Sequence, residues 1–161
     1  MRILTSEASS KLRREYPKQP LAGVGALIIN EGKMILVKRG VEPGKGMWSI
    51  PGGLVELGES VRDAVIREAK EETCLDVEIV ADRPLDAFDN IDTDEKGGLH
   101  YHFVLLQFLT RPKGGILKPS SDAADAKWVP IEEVEKYDLT KAFRKFFTKH
   151  KDELKLFSRG L

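Results

Sequence analysis

The segment from Ser60 to Cys74 constrains this chain more than any other. Ser60 is a helix-capping residue and Asp63 follows at the third helical position, the arrangement in which side chains take up the free N–H groups of a first turn. At the helical period Val61, Ala64, Val65 and Ala69 gather on one side, the side that a soluble helix turns to its core. Glu68 and Glu72 fall in the middle of that same stripe, and Glu71 lies at its edge. Standing at i, i+3 and i+4, the three carboxylates are neighbours. An ordinary amphipathic helix places its acids opposite its apolar stripe. This one does the reverse.

Such crowding is costly. Two carboxylates ~6 Å apart repel by roughly 3 kcal/mol at an effective dielectric near 20. Three such pairs approach the whole stability of a small domain, about 5–15 kcal/mol. The acids must take up protons, the helix must shift, or a cation must sit among them. Hard oxygen ligands favour Mg²⁺, Mn²⁺ or Ca²⁺ over softer metals. An isolated Arg-Glu-Ala-Lys-Glu-Glu string is ordinarily a solvated face, and Arg62, Arg67 and Lys70 are nearby. The context upstream points the other way. Pro51-Gly52-Gly53 precedes the helix and Gly58-Glu59 leads into it, and paired glycines let a backbone carbonyl approach a ligand unobstructed.

Around this helix the pattern predicts an α+β domain, a mixed, curved sheet with helices packed on its faces. Residues 6–16 read as a short helix or frayed arm ended by Pro17 and Pro20. Leu21 to Ile29 and Met34 to Val37 read as a hairpin about Asn30-Glu31-Gly32-Lys33. Residues 40–47 are a loop, and Trp48-Ser49-Ile50 is a short strand stopped by Pro51. Leu75 to Ala87 reads as a strand with a break near Pro84, Asn90 to Gly98 as a polar loop, and Tyr101 to Leu109 as a strand covered on both sides. After a loop from Pro112 to Ser121 come a strand at Ala126–Val129, a helix over Ile131–Tyr137, and a helix from Leu139 that stripes Phe143, Phe146 and Phe147 on one side.

The length, 161 residues, suits a single domain over 1–161, with an N-terminal arm or short helix (1–19) and a C-terminal helical segment (138–161). Twenty-six basic residues balance 26 acidic ones, so no global field attracts nucleic acid or an anionic membrane. A single cysteine, Cys74, excludes an intrachain disulfide and suits a reducing compartment. No signal-type stretch opens the chain, and the run Gly23–Ile29 is too short to span a bilayer. The expectation is a cytoplasmic monomer or homodimer.

At this point the residues resemble the Nudix box: Gly53, Glu59 after five residues, then after seven more Arg67-Glu68-Ala69-Lys70-Glu71-Glu72-Thr73-Cys74-Leu75. Every charged position is met over 23 residues. One position departs. Cys74 stands where the pattern has glycine, just past the helix, where a left-handed conformation costs a non-glycine roughly 1–2 kcal/mol. The carboxylates lie upstream of it. The flanking strands and Trp128-Val129-Pro130-Ile131-Glu132-Glu133 are also similar to the family, so the resemblance covers roughly residues 20–135.

What the resemblance implies is an α/β/α sandwich with a loop–helix–loop metal site, a hydrolase of nucleoside diphosphates linked to another moiety, and Mg²⁺ as cofactor with Mn²⁺ as a substitute. Glu68, Glu71 and Glu72 would hold the metal with the Gly52 carbonyl, and Arg67 would orient the glutamates by pairing with Glu59. Glu68 is the first choice of general base, and Asp122 resembles an acidic position that some members use for metal or base. Elementary chemistry agrees: anhydride hydrolysis needs charge neutralised on the phosphates and a deprotonated water, which metals and a nearby carboxylate supply.

Arg39, Lys45, Trp48 and Phe88 are the candidate substrate contacts, with Lys45 equally readable as a solvated loop lysine and Trp48 as a core residue. The loop Gly40–Gly46 lacks the spacing of a phosphate-binding loop, and Gly23-Val24-Gly25 lacks the third glycine of a dinucleotide fingerprint. His100 and His102 share a strand face but no third ligand of fitting type accompanies them. The lead expectation is an ADP-ribose-type pyrophosphohydrolase. A (deoxy)nucleoside triphosphate pyrophosphohydrolase, a non-catalytic ligand-sensing module and an RNA-end-processing enzyme are the alternatives.

Overall fold

The apolar run at Leu21 becomes a ten-residue strand, β1 (Leu21–Asn30), buried along nearly its whole length. Such burial on both faces goes with parallel pairing, and β1 runs parallel to the long strand β7 (Leu99–Gly114), with Leu21 opposite Phe103 and Ile28 opposite Thr110. The computed structural model describes residues 13–160; residues 1–12 and Leu161, and with them most of the segment expected as an N-terminal arm or helix, lie outside it.

On its other edge β1 takes two partners in turn. Gly23–Gly25 pair with β4 (Gly52–Leu54), and Ile29 and Asn30 with β2 (Lys33–Arg39). Strand β2 continues to β3 (Trp48–Ser49) and β8 (Ala123–Pro130). Beyond β7 lie β5 (Asp76–Ile79) and β6 (Asp86–Thr93), which share one edge of that strand end to end. All pairings but β1–β7 are antiparallel, so the eight-stranded sheet is mixed, as expected. Split partners on the two central strands bend the sheet.

Helices cover the two faces. Helix α1 (Val61–Thr73) packs Ala64, Val65 and Ala69 on Val24, Ala26, Ile28, Val77 and Phe108. Helix α2 (Lys141–Ser158) packs Phe143, Phe146, Phe147 and Leu154 on Leu27, Ile29, Met34 and Leu36. Alternate residues of β1 thus feed opposite cores, as the strand period requires. At about 25 cal/mol per Å² of apolar surface, each large side chain so buried stabilises the sandwich by roughly 1.5–3 kcal/mol. Among the described residues no helix is long and apolar enough to cross a membrane.

The strand expected over Leu75–Ala87 with a break near Pro84 is β5 and the start of β6, parted at 80–85, where Val80 and Leu85 donate backbone N–H groups to Leu109 and Gln107 of β7. Several other boundaries differ from the sequence expectation. The segment expected as a loop from Asn90 is the second half of β6, and only the turn at 94–98 is loop. Strand β7 runs on through Pro112 to Gly114. The short helix after Pro130 is a 3-10 helix, Ile131–Lys136.

Residues 13–20, ahead of β1, are irregular but anchored. The Tyr16 N–H donates to the His100 carbonyl at 2.7 Å, the Tyr16 hydroxyl donates to Asp94 at 3.1 Å, and the Tyr101 hydroxyl donates to Glu15 at 3.1 Å.

Candidate active site

Helix α1 begins as its sequence requires. The Asp63 N–H donates to the Ser60 hydroxyl at 3.1 Å. It ends at Cys74, whose backbone is left-handed (φ 62°, ψ 9°) and whose N–H donates to the Lys70 carbonyl at 3.0 Å. The Thr73 hydroxyl turns back to the Ala69 carbonyl and accepts from Leu75 N–H, tying off the last turn.

The acids of the apolar stripe do point inward. The Glu72 residue is 7% exposed, the Glu68 side chain 13% and the Glu71 side chain 45%. Opposite them lies the Pro51-Gly52-Gly53 corner, held to the sheet by the register of Gly25 on Gly52 and Val24 on Gly53. Backbone leaves no room for a side chain at Gly52, and a side chain at Gly53 would displace Glu68. A Cβ on Gly52 would strike the Val24 carbonyl, and one on Gly53 would land on the Glu68 carboxylate. The Gly52 N–H donates to Glu72 Oε1 at 3.1 Å.

Arg67 gathers the remaining acids. Its Nε and Nη2 donate to the two Glu59 oxygens at 2.6 and 2.9 Å, and Nη2 also donates to the Leu54 carbonyl at 3.1 Å. Its Nη1 donates to Glu68 at 2.8 Å and to Glu71 at 3.2 Å. This planar fork fixes loop and helix together in a way an ammonium group could not.

The electrostatics reflect burial and partners. Glu59 is held down to about 2, chiefly by the Arg67 hydrogen bond, with burial opposing and the Glu56 N–H assisting. Glu72 is pushed up to about 8, first by desolvation, which its single bond from Gly52 does not cancel; the charges of Glu68 and Asp122 raise it further while Arg39 lowers it. Glu68 is raised as well, again first by burial, against the Arg67 hydrogen bond and charge. Burial lowers Arg39, opposed by the charge of Glu72, with Arg14, Asp122 and Glu42 as further charges around it.

The structure therefore brings together Glu59, Arg67, Glu68, Glu71, Glu72 and Gly52, and sets Arg39 and Asp122 within electrostatic reach of Glu72. Arg39 ends β2 and donates through Nε to the Pro43 carbonyl. Asp122 immediately precedes β8, and its carbonyl accepts from Gly40 N–H at 2.8 Å. The other three expected substrate contacts have these neighbours in the structure. Phe88 stacks on Phe146 of α2 with ring centres 5.7 Å apart. Trp48 packs edge-on against Tyr137 at 5.3 Å on the same core, with the Lys127 ammonium over its ring. The Lys45 side chain is on the exposed 40–47 loop, where its backbone N–H meets Glu42 at 3.4 Å. His100 stacks on Tyr16 and pairs with Glu15, a packing role. Arg14 escapes sequence reading because its neighbours are remote along the chain; its charge reaches both Arg39 and Glu68.

As placed, the described side chains gather no three metal-ligating groups about one point, because Arg67 draws Glu68 and Glu71 while Glu72 leans on Gly52. The donor set nevertheless fits a hard divalent cation. It is all oxygen, one carboxylate is desolvated with a single N–H partner, and the loop facing it carries no side chains.

Acids held inward on a helix, with a glycine corner opposite, suit the binding of a hard cation. The comparisons agree. The family model described as NUDIX domain matches residues 19–150. The ADP-ribose pyrophosphatase of Methanocaldococcus jannaschii is 35% identical over 117 residues, covering 73% of this chain; the chain spans 66% of that relative's length. The crystal structure of a MutT NUDIX hydrolase from Burkholderia pseudomallei superposes with a TM-score of 0.64 at 30% identity, covering 80% of this chain and 95% of the other. A bifunctional NMN adenylyltransferase/ADP ribose pyrophosphatase from Francisella tularensis, complexed with AMP and Mn ion, has a TM-score of 0.60 at 27% identity, covering 84% of this chain and 42% of the other. The chain belongs to the Nudix family.

Proposed function

We propose that the protein is a Mg²⁺-dependent pyrophosphohydrolase of a nucleoside diphosphate derivative, with ADP-ribose the first candidate substrate. The observation that carries the reading is the inward placement of Glu68 and Glu72 against the Gly52-Gly53 corner. Two relatives named for ADP-ribose pyrophosphatase activity support the substrate, and the Mn ion bound in one of them supports a divalent metal.

Glu68, Glu71, Glu72 and the Gly52 carbonyl would hold the ion. When bound, it would neutralise phosphate charge and lower the pKa of a coordinated water. The protein's own residues do the rest. Arg67 fixes the position of Glu68 through Nη1 and of the Gly58-Glu59 lead-in through Nε and Nη2. Glu68 accepts a proton from the attacking water. The water oxygen bonds to phosphorus, the bridging P–O bond breaks, and two phosphate monoesters leave, AMP and ribose 5-phosphate if the substrate is ADP-ribose. Asp122 and Arg39 act on Glu72 through their charges, and Arg39 offers a guanidinium to the substrate phosphates. The protein acts on small nucleotides in the cytoplasm, as a monomer or homodimer.

The test is a panel of ADP-ribose, sugar nucleotides, dinucleoside polyphosphates and nucleoside triphosphates with Mg²⁺, with products identified. AMP and ribose 5-phosphate from ADP-ribose is the expected result. Pyrophosphate release from triphosphates with ADP-ribose untouched would replace it with the triphosphatase reading, and no turnover of any member would favour a ligand sensor.

A further inference from the structure

A cavity of about 380 Å³ is lined by Arg13, Arg14, Glu15, Tyr16, Glu42 and Tyr101, and the 40–47 loop that carries Glu42 is tied to Arg39, whose Nε donates to the Pro43 carbonyl. That volume suits part of a small ligand. One wall is the segment ahead of β1, the other is the 40–47 loop. The first wall is pinned at Tyr16 and Glu15 to His100, Tyr101 and Asp94, residues more than 75 positions away in the chain. What the pinning delivers is Arg14, half-buried in the cavity wall, with its charge acting on Glu68 and Arg39. Among the ion pairs of the described residues no carboxylate claims it. Arg13 is exposed and spends its Nε on the Glu15 carbonyl at 3.0 Å.

The lining chooses between the two halves of a nucleotide sugar. A base sandwiched between rings needs them about 7 Å apart, twice the ~3.5 Å contact distance of stacked carbon atoms. The aromatic ladder here is already closed: Tyr16 to His100, His100 to Tyr101 and Tyr101 to Phe103 are 4.9, 4.0 and 5.9 Å between ring centres. The other lining groups are carboxylates and guanidinium groups. Carboxylates accept from vicinal hydroxyls, and a guanidinium grips a phosphate oxygen.

We propose that this cavity is the subsite for the non-nucleoside half of the substrate, a sugar phosphate, with Arg14 on its phosphate and Glu42 accepting from its hydroxyls. The inference rests on the diphosphate-hydrolase reading, which it deepens by assigning a substrate contact ahead of β1.

Binding of ribose 5-phosphate to the metal-free protein, measured by calorimetry or NMR titration with inorganic phosphate as comparison, tests it without turnover. Ribose 5-phosphate is expected to bind more tightly than phosphate. Arg14→Ala should weaken it by about ten- to hundredfold, the range for a hydrogen bond to a charged group, with Arg14→Lys recovering part. Glu42→Gln should weaken ribose 5-phosphate severalfold and leave phosphate unchanged. Equal binding of the two ligands by wild type, no binding of ribose 5-phosphate, or indifference to both substitutions would overturn the subsite. Ribose 5-phosphate binding through Arg14 without ADP-ribose turnover would refute the substrate reading alone. ADP-ribose turnover with an unchanged KM in Arg14→Ala would refute the subsite alone.

Discussion

Arg67 and Glu59 form a two-pronged ion pair, Nε to Oε2 at 2.6 Å and Nη2 to Oε1 at 2.9 Å, that ties the middle of α1 to the loop in front of it. The same guanidinium reaches Glu68 and Glu71. One cation thus sets the positions of three acids, and its loss frees all of them.

Arg67→Gln is therefore expected to destabilise the fold by roughly 1–3 kcal/mol, the cost of leaving partly buried charges without a partner. That corresponds to a fall of several degrees in Tm for a chain of this size. Arg67→Lys should recover little, because an ammonium cannot serve Glu59 and Glu68 at once. Thermal melts of the three proteins check this. Equal stability would mean that the fork is ornamental.

Glu68→Gln should lower turnover by about two to four orders of magnitude while the protein stays folded, the range for losing a general base. Steady-state kinetics with the melting curve as control decide it. Wild-type rates would remove Glu68 from the proton-accepting role.

Metal-free protein should lose stability as pH rises from 4.5 to about 8. In that window folded Glu72 retains a proton that the unfolded chain releases, so folding takes up a proton and is opposed by rising pH. Glu59 does not disturb this, since its contribution is lost only as pH falls from 4.5 towards about 2. Added Mg²⁺ should raise Tm more at pH 8 than at pH 5, because a proton and a cation compete for the same oxygens. Glu72→Gln should flatten both trends. A Tm that climbs with pH across this window in the metal-free wild type, and not in the variant, would contradict the assignment.

Cys74→Gly should stabilise the protein by about 1 kcal/mol, since Cys74 holds a left-handed backbone at φ 62° that glycine adopts without strain. Activity should be unchanged, as the acids precede this residue. A lower Tm would mean that the Cys74 side chain contributes more by packing than its backbone costs.

The parts of this molecule legible in its sequence are the local ones. Two acids inside an apolar stripe with a third at its edge, a capping serine, and a cysteine at a glycine position are each visible within one helix and its ends, and each has its expected consequence in α1. Strand β6 is hidden because it is an edge strand paired only to β7. With Asp86, Asp89, Asn90 and Asp92 it needs few apolar residues, and its polar half reads as loop. Trp48 and Phe88 are aromatic residues near strand ends, where core and ligand roles have the same local signature; their partners in the structure, Tyr137 for Trp48 and Phe146 of α2 for Phe88, are remote in sequence. Arg14 lies beyond the reach of pattern reading, since its place depends on Tyr16 meeting His100 across 84 positions of sequence.

Catalysis of the proposed kind requires Glu68, Glu71 and Glu72, with the Gly52 carbonyl, to close around a cation. Anomalous diffraction from crystals grown with Mn²⁺ measures this directly. The expected result is a peak within about 2.0–2.4 Å of oxygens from these glutamates and of the Gly52 carbonyl. A map with the carboxylates still on Arg67 and no ion among them would contradict it.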